Sequence, residues 1–407
     1  MKTEQTSKEL IPRDTTRLTH LKVNTPRGFA SFSPPVFRAS TVLFRNMDAL
    51  RQAHIDEEES WSYGLHSTPT QYELAQKLAQ IEGGKQGLLL PSGLAAISLV
   101  QFSLLRSGDE LLLADHVYGP NREHAQWLMR DFGITTRFYN PLSVNDLAQL
   151  MTPKTKLIWI EAPGSITMEI PDIPAITALA KERGVLTVLD NTWSGGLLCR
   201  PFDLGVDIAI QALTKYQSGG SDVIMGSVVT ADKALYQRLS STRRTMGWGV
   251  SSDDCYLVLR NLPSMAVRIA AHGERSTTLA KWLKRRHEIV RVLHPALPDC
   301  PGHLHWQRDF SGVSGLFSVV LHKRYRQAQV DAFIEDLQLF SIGYSWGGPQ
   351  SLAMHYDVME TRSATTWPPT DWPNADTAGS LVRFYCGLED PRDLIADIKE
   401  SMTRHLV

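Results

Sequence analysis

In the first half of the chain, short apolar runs at 87–90, 111–114, 156–160, 185–189 and 207–210 alternate with stretches of helical character at 92–105, 121–132, 144–151 and 173–183. A strand that is apolar throughout has no face to give to water. It must be covered on both sides, and intervening helices are the usual cover. The alternation therefore predicts a parallel sheet flanked by helices, an α/β fold that places its ligands at the carboxyl ends of the strands. The first helix carries its own start and stop signals. Thr68, Pro69 and Gln71 predict a capping box with proline in the first turn, Leu74, Leu78 and Ile81 share one face, and Gly83 and Gly84 end it.

The pattern changes near residue 260. A long helical stretch at 265–292 is followed by an apolar run at 315–321, a helical stretch at 327–337, a loop at 365–379, a run at 381–387 and a last helix from Pro391. This reads as a smaller α+β domain. Residues 1–66, with prolines at 12, 26, 34 and 35, read as an irregular arm. The expected division is an arm at 1–66, a large domain at 67–260 and a small domain at 261–407.

Composition excludes some partners. The 407 residues hold 42 Lys and Arg against 43 Asp and Glu, so no net basic field exists to gather nucleic acid or an anionic membrane. The most basic run, "KWLKRRHEIVR" at 281–291, reads as an amphipathic helix with a solvated basic face. The N-terminal residues lack the apolar core of a signal peptide, and the longest apolar stretch, 93–105, is interrupted by Ser98, Gln101 and Ser103. Four scattered cysteines, Cys199, Cys255, Cys300 and Cys386, suit reduced thiols in the cytoplasm and form no metal-type pair.

The chemistry-bearing residues gather at the predicted strand ends. The turn Pro91-Ser92-Gly93 opens a helix, whose first N–H groups and dipole suit a phosphate. Tyr118 follows the second run and offers a ring for stacking. Asp190 closes the fourth run, where a carboxylate is costly unless a cation meets it. Lys215 stands in "QALTKYQSGGSDVIMG" (211–226), between an apolar run and a small-residue loop. A partly desolvated lysine there loses its proton near neutral pH and attacks a carbonyl. A phosphate, a flat ring, a protonatable ring nitrogen and an aldehyde together describe pyridoxal 5'-phosphate.

These strings resemble the pyridoxal-phosphate enzymes of cysteine and methionine metabolism. Their lysine signature is matched by Thr214, Lys215, Tyr216, Gly219, Ser221, Asp222 and Gly226, with a departure at Gly220, where the family usually has histidine. "YGLHSTPT", "IEGG", "PSGLAAI", "VLDNTW" and "LVRFYCGLEDPRDLIADI" follow in the family's order, and "EAPGSITMEIPDIPAI", "HPALP" and "YSWGGPQSL" look like its β-lyase branch. The resemblance implies a fold type I PLP-dependent transferase-like architecture. It also implies backbone contacts to the phosphate from Gly93 and Leu94, a hydroxyl contact from Thr214, stacking by Tyr118, a ring-nitrogen contact from Asp190 and cofactor attachment at Lys215. Ser345 and Trp346 would line the substrate pocket, and Arg383 would receive the α-carboxylate with its planar fork. Tyr63 would reach into the neighbouring subunit's site, within a homotetramer built from dimers. Where the family has an arginine clamping the phosphate across that boundary, this chain has Leu65, so the expectation is that His66 or another arginine substitutes, that the cofactor is held less tightly, or that the change is a tolerated variant.

The reaction so implied is β-elimination from L-cystathionine, with Lys215 as the base and Lys215, Tyr118 or Tyr63 returning a proton to the departing sulfur. The γ-reactions of the same family, and β-elimination from cysteine or another S-substituted cysteine, stay open as alternatives. A binding protein without catalysis would be expected to lack Lys215 or Asp190, and both are present. The sequence holds no HExxH, GxSxG or Walker motif.

Overall fold

The computed structural model describes residues 13–19, 27–53 and 61–407. Seven strands form the large sheet: β1 (Gln86–Leu90), β2 (Glu110–Ala114), β3 (Thr135–Tyr139), β4 (Thr155–Glu161), β5 (Leu186–Asp190), β6 (Ile208–Ala212) and β7 (Gly226–Thr230). Their order is β1-β7-β6-β5-β4-β2-β3. Pairing is parallel from β3 through β2, β4 and β5 to β6, and antiparallel only where β7 enters between β6 and β1. The five apolar runs are thus β1, β2, β4, β5 and β6, each within two residues of its expected ends.

Two strands lie outside the expected set. The β3 sequence, TTRFY, is an edge strand that is partly exposed along most of its length, so it carries no continuous apolar run. The β7 sequence, GSVVT, is fully buried, but its only large apolar residues are Val228 and Val229. The small residues are required at its start: a Cβ on Gly226 would come within 2.3 Å of Ser92 O.

The helix Pro69–Glu82 begins as expected. Thr68 accepts from Gln71 N, Gln71 accepts from Thr68 N, and Gly83 ends the helix at φ 82°. Such a cap is worth about 1 kcal/mol. Ser92 caps the helix Gly93–Leu104 through Ala95 N at 3.0 Å. Two expectations need correction. The stretch at 121–132 is an α-helical turn at Gly119–Glu123 followed by a π-helical turn at His124–Met129. The stretch at 265–292 is instead a helix at Ser252–Leu283, capped by Ser251, and a strand β8 (Ile289–Leu293). The basic run is therefore helical only from Lys281 to Leu283. Beyond it, "RRHE" supplies no apolar residue at helical spacing, and the β-branched Ile289, Val290 and Val292 join a sheet instead.

That second sheet is antiparallel, with β10 (Leu352–Tyr356), β11 (Ala378–Tyr385), β9 (Leu316–His322) and β8 in this order. With the helices Gln327–Glu335 and Pro391–His405 it encloses a second core around Phe317, Phe333, Phe384 and Ile398. The helix Ser252–Leu283 serves both cores, through Cys255, Leu259 and Met265 in the first and Leu279 and Leu283 in the second. The division expected at 260/261 falls inside it. The arm also holds more structure than an irregular reading implies: short helices at Asp14–Thr19 and Met47–Gln52, with Leu18 fully buried. No helix among the described residues is long and apolar enough to cross a membrane.

Candidate active site

The site is built where β4, β5 and β6 end. Glu161 closes β4 and Asp190 closes β5, and the two are directly paired across the sheet. After β6 the chain turns through Leu213 and Thr214 to Lys215, with Lys215 N bonded to Ala212 O at 3.1 Å and Ser218 N to Leu213 O at 2.9 Å. The next side chain, Tyr216, goes inward. It is fully buried, its hydroxyl accepts from Gly315 N at 2.9 Å, and its ring lies 5.4 Å from Trp346. Anchoring Tyr216 behind the turn leaves Lys215 in front of it.

The Lys215 amine donates to Ser345 Oγ at 2.9 Å and lies 5.5 Å from the Trp346 ring. Ser345 and Gly347 have φ of 83° and 93°, and a Cβ on Gly347 would stand 2.6 Å from the Lys215 carbonyl carbon. The 345–347 segment is thus pressed onto the lysine, and only glycine fits at 347. Burial pulls the Lys215 amine down to about 8, the Arg383 charge adds to this, and Asp190 opposes it. Burial pushes the Asp190 carboxyl up, against the hydrogen bonds from Thr192. Both of those bonds fall on Asp190 Oδ1, from Thr192 N at 3.1 Å and Thr192 Oγ1 at 2.5 Å. Thr192 Oγ1 in turn accepts from Ala212 N at 3.0 Å, tying the end of β5 to the end of β6.

Arg383 projects from β11. Its Nη1 donates to Ser165 O at 3.1 Å, and its guanidinium lies 4.7 Å from the Tyr356 ring. Among the described residues it has no ion-pair partner, which suits a cation kept for a carboxylate that arrives with the substrate. Tyr118 N donates to Glu161 Oε2 at 2.8 Å. The Tyr118 phenol is pushed up by burial first, then by Asp190 and Glu161. Lys215, Asp190, Tyr118, Ser345, Trp346 and Arg383 are therefore brought together.

The phosphate end is more mixed. Gly93 and Leu94 begin their helix, so their N–H groups have no intrahelical acceptor. Gly93 sits against the last residue of β6, where a Cβ would meet Ala212 Cβ at 2.7 Å. Thr214 Oγ1 already donates to Met225 O at 3.2 Å and accepts from Met225 N at 3.1 Å. A phosphate contact there needs the hydroxyl proton turned away from Met225. Tyr63 is not brought to this site: it bridges to Thr41, its ring has an edge contact with His66 at 6.0 Å, and its carbonyl accepts from His66 N at 2.9 Å. Its turn is fixed within its own subunit, because a Cβ on Gly64 would overlap Ala39 O at 1.7 Å. The buried Arg243 donates to Leu65 O, His66 O and Leu89 O at 3.3, 3.0 and 2.9 Å, so this nearby arginine is committed to backbone. His66 Nδ1 lies 2.8 Å from Ser62 Oγ. At Gly220, a Cβ would meet Asp222 Oδ1 at 2.7 Å.

Sequence reasoning assigned no role to three members of the site: Glu161, Ser165 and Tyr356. Glu161 had the signal that found Asp190, a carboxylate closing an apolar run. Tyr356 lies on β10, whose LAMHY sequence gives no strand signal.

The residues fit pyridoxal 5'-phosphate. Asp190 is a buried carboxylate with one oxygen bonded by Thr192, and a protonated ring nitrogen would offset its burial. Lys215 is a partly buried amine drawn toward its neutral form, as attachment to an aldehyde requires. The comparisons agree. The profile of the family described as Cys/Met metabolism PLP-dependent enzymes matches residues 15–403. A cystathionine beta-lyase of Bordetella avium is 40% identical over 385 residues, 94% of each chain. An L-alanine/L-glutamate racemase of Wolbachia pipientis wMel is 36% identical over 393 residues, again 94% of each. Among solved structures, cystathionine gamma synthase from Xanthomonas oryzae pv. oryzae, in complex with aminoacrylate and cysteine, superposes with a TM-score of 0.87 at 27% identity, covering 98% of this chain and 99% of that one.

Proposed function

The chain belongs to the Cys/Met metabolism PLP-dependent enzymes, and from that premise we propose that it catalyses β-elimination of L-cystathionine to homocysteine, pyruvate and ammonia. The observation that carries this reading is the pairing of an amine base with a carboxylate receiver. Lys215 is held at Ser345, and Arg383 stands nearby with no acidic partner among the described residues.

Bound pyridoxal phosphate supplies an aldehyde carbon for the substrate amine and a ring that draws electrons from Cα. The chain supplies the rest. The phosphate would be held by the N–H groups of Gly93 and Leu94, with Thr214 Oγ1 as a further donor once its proton turns from Met225. Tyr118 would stack on the ring, and Asp190 would hold a proton on the ring nitrogen. Arg383 takes the substrate α-carboxylate, and Ser345 and Trp346 close the pocket beside it. Lys215, once free, takes the proton from Cα and returns one to the departing sulfur. Tyr118 would assist, and Tyr63 would do so from a neighbouring subunit in a homotetramer of dimers.

The test is product identification. Purified, cofactor-loaded protein is incubated with L-cystathionine and the products are identified by mass spectrometry. Homocysteine and pyruvate are expected. Cysteine and 2-oxobutyrate would move the protein to the γ-lyases, and pyruvate from cysteine alone would make it a cysteine lyase. A second reading is supported by the racemase relative. Taking a proton from Cα with Lys215 and delivering one to the other face from a second acid needs no leaving group and keeps Arg383 as the carboxylate receiver. D-alanine or D-glutamate formed from the L-isomer, with no product from L-cystathionine, would select it.

A further inference from the structure

Glu161 is a buried carboxylate next to another buried carboxylate, a placement that raises the energy of both. Its two oxygens go to two different segments. Oε2 accepts from the backbone N–H of Tyr118 at 2.8 Å, and Oε1 accepts from Ser165 Oγ at 2.5 Å. The carbonyl of the same Ser165 receives Arg383 Nη1 at 3.1 Å. The Glu161 backbone takes part as well: its carbonyl oxygen lies 2.9 Å from His116 Nε2, two residues before Tyr118. The two segments also touch directly, since a Cβ on Gly164 would meet His116 Nδ1 at 2.6 Å. A residue that merely ended its strand would need none of these bonds.

We propose that Glu161 is a positioning residue: its carboxylate joins the Tyr118 segment to the Ser165 turn on which Arg383 leans, and so sets the spacing between the ring-stacking face and the carboxylate receiver. This rests on Tyr118 and Arg383 serving the cofactor ring and the substrate carboxylate. It does not rest on which substrate is turned over. Glu161 touches neither reacting group, and it acts through the two residues it holds. Burial and the neighbouring Asp190 push its carboxyl up, in keeping with a position maintained against an electrostatic cost.

The test uses cofactor-loaded Glu161→Gln and Glu161→Ala proteins. Visible-band circular dichroism reports the setting of the bound cofactor. An absorbance titration with glycine, an amino acid with no group to eliminate, reports the carboxylate receiver. The alanine variant is expected to change the visible dichroism and weaken glycine binding about tenfold, the scale of a small misplacement in a site. The glutamine variant, which keeps one acceptor oxygen and the side-chain volume, should fall between it and the parent. Parent-like dichroism and glycine affinity in the glutamine variant would overturn the proposal, whatever happens to the melting temperature and even if the alanine variant does not fold. Neither readout needs cystathionine turnover, so a failure of the β-elimination reading leaves this result interpretable.

Discussion

The large sheet brings to the site groups that burial moves toward a change of protonation, and the small sheet brings a guanidinium that burial pulls down but that keeps its charge. At the ends of β4, β5 and β6, burial pushes Glu161 and Asp190 up and pulls Lys215 down to about 8. From the other side come Arg383 on β11, its stacking neighbour Tyr356 on β10, and the Ser345–Trp346 segment. Under the proposed function, the difference separates two tasks. Proton movement belongs to the floor of the site, where a modest change in environment alters which form a group takes. Orientation of the substrate belongs to the wall, where a guanidinium stays charged and presents a fixed fork.

The separation can be broken by mutation. Lys215→Ala should lower kcat by roughly a thousandfold or more while the folded protein persists, because the base is gone. A variant with near-parent kcat would place the base elsewhere. Arg383→Lys should act mainly on KM, raising it about a hundredfold with a smaller change in kcat, since a lysine keeps the charge but loses the fork. If kcat fell and KM held, the wall would be taking part in proton movement. The pH dependence of cofactor uptake sharpens the floor. Burial disfavours the Lys215 ammonium, so the neutral amine that attacks the aldehyde grows as pH rises through about 8. Stopped-flow reconstitution of the apoprotein should therefore speed up about tenfold per pH unit below that point and level off above it. A rate flat from pH 6 to 9 would mean that Lys215 is not the group limiting uptake. The smallest effect concerns the arm. Leu65→Arg should tighten cofactor binding by about five- to tenfold, the scale of one charge-assisted contact, in an equilibrium titration. Unchanged affinity would mean that Leu65 leaves no clamp missing.

The floor was more legible in the sequence than the wall. Parallel strands covered on both faces must be apolar, so their ends stand out, and Asp190 and Lys215 are polar residues placed at those ends. The same logic applies to Glu161, but the apolar run before it ends at Ile160, and the carboxylate stands one residue beyond. The edge strand β3 and the small-residue strand β7 lack the apolar signal altogether. The start of the long helix at Ser252 is carried by the Ser251 cap, with Asp253 and Asp254 in its first turn, a polar start that apolar periodicity alone does not reach. On the wall, Arg383 and Ser345 meet Lys215 only through contacts between residues more than a hundred positions apart in sequence. No local pattern encodes such distances, and those residues came from family resemblance alone. The geometry of one chain leaves Tyr63 beside Thr41 and His66, and the role proposed for it calls for a second subunit.

The most direct test of the account is to find where the cofactor is attached. Cofactor-loaded protein is reduced with borohydride, digested and mapped by mass spectrometry. The account predicts the phosphopyridoxyl mass on the peptide containing Lys215, and its loss from the Lys215→Ala variant. The same mass on a different lysine, with Lys215 unmodified, would contradict it.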